Sequence, residues 1–365
     1  MKQQSKKNYI VFIILFLGLL ILGGALTAFI DPFFHYHKPL KGFSYKLDKE
    51  RYINTGIVNN YDYDAIITGT SMTECFKTSE FDSLFGVNSV KVPFSGGSHR
   101  EVNELLESAF NHNDHIRYVI RSVDLFRAFD TKDQLDYSED SYPKYLNDNN
   151  PINDVKYLLN KNVLFEDTIG TIRRTKGHNP SVSFDEYVNW SPYYEYGAKA
   201  IQKNYGRNSV IYDGRSDITP EENSIICDNI HANIINLASN HPETTFYCYI
   251  APYSIYFFDY INEMGNLDRY LKAHELIISL LLEQENIKVY SFFTDTDLIC
   301  DANNYKDVAH HNGDVNSHIL VWLKDGHGLI TKDNYNEYCD KVWDFYHNYD
   351  YDSLYAADGF TLLER

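Results

Sequence analysis

Positive charge is scarce in this chain: 33 Lys and Arg stand against 51 Asp and Glu, a formal net charge of -18 at pH 7. So acidic a protein has nothing to balance phosphate repulsion, and a nucleic-acid backbone is excluded as a partner. Cysteine is sparse too. The five present (Cys75, Cys227, Cys248, Cys300 and Cys339) are scattered and form no CxxC pair. They support neither a disulfide framework nor a zinc knuckle nor a thioredoxin-type site. No Walker-type lysine follows the glycine turns at Gly69 or Gly96-Gly97, which argues against a phosphate cradle. Residues 31–60 contain little Gly or Ser and no flexible linker, and no internal repeat is present.

Long hydrophobic runs are also missing, with one exception. Tyr9 to Ile30 is a stretch of 22 residues without a charge, preceded by Lys2, Lys6 and Lys7. That is enough to cross a bilayer as a helix, and longer than the apolar core of a cleaved signal peptide. Gly23-Gly24-Ala25 still resembles a small-residue cleavage site. We expect residues 1–8 to be a cytoplasmic tail, 9–30 a transmembrane anchor and 31–60 an ordered membrane-proximal stalk. Lys38, Lys41, Lys46, Lys49 and Arg51 follow the span, so the Lys and Arg bias does not orient it. The basic amino-terminal tail favours a single-pass protein of the cell membrane with its bulk extracytoplasmic.

From Tyr63 onward the pattern alternates strand and helix. Ala65-Ile66-Ile67-Thr68 is a short β-branched run that stops at Gly69, and Ser71 follows two residues later. Ser89–Phe94 reads as a second strand, ending at Ser95-Gly96-Gly97, and Ser98 with Glu101 forms a capping box for the next helix. Ile116–Val123 is a third strand ending at Asp124; Thr245–Ala251 and Ile287–Phe293 are the fourth and fifth. Residues 125–219 break this rhythm. They are rich in Tyr, Asn and Asp, carry Pro143, Pro151, Pro180 and Pro192, and show helical spacing only over Asp154–Leu164. Alternation resumes at Thr219-Pro220-Glu221-Glu222 and runs to a last core helix near Asp314–Leu323, with a charged aromatic helix near 334–349 behind it. The whole predicts an α/β fold with a three-layer parallel sheet over residues 61–365, carrying 125–219 as a large insertion or lid.

A serine used for acyl transfer needs a base to take its proton and a carboxylate to orient that base. Asp307-x-x-His310 supplies both in the loop before the last core helix, where a sheet-end loop can return to Ser71. Asp228-x-x-His231 has the same spacing but lies mid-helix, where a solvated face explains it. His310 and His311 are neighbours and point in different directions, so one of them at most faces the serine. A metal reading of that pair with Asp307 and Asp314 has no nameable further ligand. Backbone N–H groups at Ser71 and at Gly96 or Gly97 are the candidate oxyanion-hole donors.

Gly69-Thr70-Ser71 after the first strand, a glycine after the second and Asp-x-x-His before the last helix resemble the SGNH/GDSL hydrolases. The resemblance covers about Asp62 to Leu323, leaving 125–219 outside it. With the amino-terminal membrane helix, the layout is similar to the DltD family of teichoic-acid D-alanylation. It is also similar to SGNH-type proteins associated with O-acetylation of cell-surface polysaccharides. By that likeness Ser71 is the nucleophile, His310 the base, Asp307 its orienter, and Gly96 or Gly97 part of the oxyanion hole. The activity implied is acyl-ester transfer or hydrolysis on a cell-surface glycopolymer, with a membrane-embedded acyl-transfer protein as partner and neither cofactor nor metal. Two departures stand out: Gly-Thr-Ser replaces Gly-Asp-Ser, and Asp124 stands near the position of the usual asparagine. An ionised Asp124 would repel an oxyanion, which keeps open a second reading as a catalytically silent scaffold or binding subunit of an envelope-acylation complex.

Overall fold

The computed structural model describes residues 2–136, 142–148, 150–207 and 217–364. They fall into two compact units, residues 1–62 with 137–187 and residues 63–136 with 188–365.

The first unit is built on the helix Lys2–Ile30, which is long and apolar enough to cross a membrane. Its side chains are exposed along Tyr9–Leu22 apart from the partly buried Leu20, whereas Gly24, Thr27 and Ile30 are buried on one face at i, i+3 spacing. Asp31 then turns the chain: its carboxylate accepts the backbone N–H groups of His35 (3.0 Å), Tyr36 (2.7 Å) and His37 (3.0 Å) and the hydroxyl of Tyr157 (2.8 Å). A small core of Phe33, Leu146, Tyr157 and Val163 lies beside it. Residues 31–60 contain a helix, Glu50–Asn60, whose Gly56 is obligatory because a Cβ there would stand 2.1 Å from the Phe33 carbonyl. The expected helix over 154–164 is interrupted. Val155–Leu158 forms one turn, and the Asn160 side chain accepts the N–H of Asn162 (2.9 Å), starting a second helical run that continues through Ile169–Lys176.

The second unit holds a six-stranded sheet in the order β2-β1-β3-β4-β5-β6. The strands are β1 (Ala65–Thr68), β2 (Ser89–Lys91), β3 (Tyr118–Ser122), β4 (Thr245–Ile250), β5 (Ile287–Ser291) and β6 (Leu329–Ile330). The first five are parallel, with Ala65 opposite Ser89 on one side and Tyr118 on the other. β6 is an antiparallel edge that the periodicity does not predict, since two residues carry no pattern. Helices flank the sheet in two groups. Thr78–Phe85 packs with Gly313–Asp325, while Leu267–Leu281 packs with Pro220–Ile230 and with Tyr335–Asn348. Such segregation follows from right-handed crossovers when the strand order reverses direction. The reversal falls between β1 and β3, the crevice where doubly wound sheets of this order bind ligands.

Candidate active site

Four sheet-end segments of the second unit meet at that crevice. The first is the exit of β1. Gly69 has φ +145°, and a Cβ there would lie 2.2 Å from Ser122 Oγ at the end of β3, so only glycine lets the two strand ends approach. The Thr70 N–H donates to the same Ser122 hydroxyl (3.2 Å). Thr70 caps a single helical turn, Ser71–Thr73, which the Tyr249 hydroxyl and the Asn316 side-chain amide brace by donating to the Met72 carbonyl (3.2 and 3.0 Å). Ser71 is thereby held half-exposed on a short rigid turn.

Asp307 and His310 come to it from the loop before the helix Gly313–Asp325. Ser71 Oγ lies 2.8 Å from His310 Nε2, and His310 Nδ1 lies 2.9 and 3.0 Å from the two Asp307 oxygens. A carboxylate only accepts, so Nδ1 carries the proton and Nε2 is free to accept from the serine hydroxyl. Burial alone would raise the Asp307 carboxyl. Its hydrogen bond and charge interaction with His310, together with the N–H groups of His310 and Ala309, outweigh that and hold it at about 2. The ring of Trp190 meets the His310 ring edge to face, with centroids 5.7 Å apart. His311 turns the other way: it is buried, its Nδ1 faces the Asn312 carbonyl at 3.3 Å, and burial pushes it down to about 4. Among the described residues no group of three or more His, Cys, Asp or Glu is placed to hold a metal ion.

Of the proposed oxyanion donors, the Gly97 N–H is already spent on the Phe94 carbonyl (2.8 Å). The N–H groups of Ser71 and Gly96 have no protein acceptor among the described residues, and both residues line a cavity of about 350 Å³ that also holds His310. Gly96 needs glycine for its φ of +61°, and its carbonyl accepts from the Arg127 guanidinium, which Asp136 grips in turn.

Asp124, at the end of β3, lines the same cavity. The Thr70 hydroxyl donates to its Oδ2, while the buried Oδ1 has no hydrogen-bond partner among the described residues. Burial raises its carboxyl despite the Thr70 hydrogen bond and the nearby charges of Arg127 and His310. Sequence reasoning located Asp124 but not its bond to Thr70, and it missed Arg127 and Tyr253 at the cavity and Trp190 against the His310 ring. Each is a lone residue with no motif around it. Cys75, near Ser71 in sequence, is an inert buried thiol pushed up to about 12 by desolvation.

A doubly wound α/β sheet with a connected Ser-His-Asp relay at its switch point is an arrangement suited to nucleophilic catalysis. Comparison with known proteins adds little to that. No protein-family model and no curated protein matches the chain. One solved structure, provisionally described as a platelet activating factor from Streptococcus pneumonia, aligns over 76% of this chain and 90% of its own, at 10% identity and a TM-score of 0.39. That likeness is too distant to assign a family or an activity.

Proposed function

We propose that the protein is a membrane-anchored, SGNH-like enzyme that transfers or hydrolyses acyl esters through an acyl-Ser71 intermediate. The observation that carries this reading is the continuous Ser71–His310–Asp307 hydrogen-bond relay. In the first half-reaction His310 Nε2 takes the Ser71 proton while Oγ forms a bond to the acyl carbon. The carbonyl oxygen becomes an oxyanion facing the N–H groups of Ser71 and Gly96. Collapse of the intermediate breaks the ester C–O bond, and the leaving alcohol takes the proton from His310. Water or a second hydroxyl then attacks acyl-Ser71 by the same steps in reverse order of partners. Burial favours the neutral form of Asp124, which weakens the objection that a carboxylate there repels the oxyanion.

The substrate class we propose is a cell-surface polysaccharide or teichoic-acid-like polymer, supplied with acyl groups by a membrane-embedded partner and modified outside the cytoplasm. Its support is the candidate anchor helix and the likeness of the motif order to DltD-type proteins. The test is labelling with a fluorophosphonate probe. The wild-type chain is expected to label and Ser71→Ala to lose labelling while keeping its melting temperature. Labelling that survives Ser71→Ala places the nucleophile elsewhere. Absence of labelling in wild type, with deletion still abolishing surface acylation, replaces the enzyme by the scaffold reading.

A further inference from the structure

The first unit carries an apolar surface that its own core does not use. Ile152, Val155, Leu159 and Phe165 are all exposed, Ile152 by 82% and Phe165 by 62%. They flank a segment that is clamped to the candidate anchor helix Lys2–Ile30. Leu164 Cδ2 lies 3.2 Å from where a Gly23 Cβ would be, Leu159 Cδ2 lies 3.3 Å from that of Gly24, and the Thr168 hydroxyl meets that of Thr27 at 3.4 Å. The small residues at 23 and 24 are what allow this close approach.

Length now decides where the segment sits. The part of the helix left bare of protein is Tyr9–Leu22, which at 1.5 Å per residue is about 21 Å long. A bilayer's hydrocarbon core is about 30 Å thick. If the helix crosses it, the stretch that includes Gly23 and Gly24 lies within the membrane boundary, and so does whatever packs against it. The exposed side chains fit that position. Lys156 and Lys161 are exposed between the apolar residues and are long enough to reach headgroups. The one acid within the segment, Asp154, is buried against the Tyr36 hydroxyl (3.0 Å), and the exposed Glu166 just beyond it borders a polar cavity with Lys46, Asp48, Lys49, Asp167 and Arg174. Tyr36 and Tyr52, both partly exposed, add aromatic rings of the kind that settle at the lipid–water interface.

We propose that residues 152–165 form an interfacial collar, seated in the leaflet from which the rest of the chain emerges. Its apolar side chains meet acyl chains and its lysines meet anionic headgroups. The first unit is thus attached to the membrane at two places, by a spanning helix and by a segment lying beside it. This fixes the unit's orientation on the bilayer rather than leaving it to swing on a single helix.

The test uses the full chain in vesicles of phosphatidylethanolamine and phosphatidylglycerol. A photoreactive benzoylphenylalanine is placed singly at Phe165, at Ile152 and, as a reference within the span, at Leu19. Irradiation is expected to give lipid adducts at Phe165 and Ile152 in yields comparable to that at Leu19. Adducts at Leu19 alone overturn the collar while leaving the anchor standing. Adducts at none of the three overturn both. Chain-to-chain adducts at Phe165 or Ile152 in place of lipid adducts make the surface a contact between copies of the protein, which also overturns the proposal.

Discussion

Replacing Asp307 by asparagine keeps the side chain's shape and one acceptor oxygen but removes its charge. The structure sets the direction of the consequence. The Asp307 carboxyl, ordinarily near 3.8, is held at about 2 chiefly through His310, against the opposing pull of burial. The gap between those values corresponds to ~2.5 kcal/mol shared among all of its partners, so losing the charge should slow the attack of Ser71 on the order of tenfold or more. The amide nitrogen facing Nδ1 also favours the wrong tautomer, a further loss that brings the total to as much as ~10⁴-fold. We therefore expect Asp307→Asn to cut both fluorophosphonate labelling and 4-nitrophenyl acetate hydrolysis by ~10² to 10⁴-fold. Stability provides an independent arm. A depressed carboxyl stabilises the fold above its unfolded value and loses that contribution as pH falls through its folded value. The melting-temperature advantage of wild type over Asp307→Asn should therefore shrink between about pH 4 and pH 2. A folded Asp307→Asn within tenfold of wild type across the pH range would refute the relay.

Two further outcomes follow from the same crevice. Asp124 is raised by burial, so its neutral form is the one the fold favours, and that contribution fades as pH rises through the folded value; Arg127, His310, Tyr249 and Tyr253 are the titratable groups facing it. Asp124→Asn should raise the melting temperature at pH 7, a gain that shrinks as pH falls towards about 4, where the carboxyl is neutral folded and unfolded alike, and a loss at pH 7 would mean that an ionised, paired carboxylate is needed there. Gly69→Ala forces a Cβ to within 2.2 Å of Ser122 Oγ at a φ of +145°, and should cost ~3 kcal/mol or more, with probe labelling abolished. A variant that melts within a degree or two of wild type would show that the β1 and β3 ends are not locked together.

Much of the second unit is readable from sequence because its signals are local. The five parallel strands are apolar runs closed by Gly, Pro or Asp, and the capping boxes at Ser98 and Thr219 both form as their spacing predicts. Ser71, Asp307 and His310 each sit where an element ends, so their proximity follows once the strand order is known. What stays hidden is decided by contacts distant in sequence. Whether Gly96 or Gly97 offers a free N–H depends on a turn bond to Phe94. The environment of Asp124 depends on Thr70, across the switch point. Arg121 lies in the middle of β3, where no pattern announces a fully buried guanidinium that donates to the carbonyls of Asn233 (2.8 Å) and His99 (3.0 Å). The first unit is the least legible part, because its two halves are separated by more than seventy residues of chain and neither shows a core by itself.

The brevity of the two edge strands carries a consequence for how copies of the chain meet. β2 has three residues before Val92 and Pro93, and β6 has two. An edge strand's unpaired N–H and C=O groups are a template for recruiting another chain, and the hazard grows with the length of the free edge. When two copies of the chain collide edge to edge, the number of backbone bonds they can form in a row decides whether the encounter holds. Three residues and two offer too few bonds in a row to hold such an encounter. The sheet can then be crowded at high density without zipping its copies into fibres.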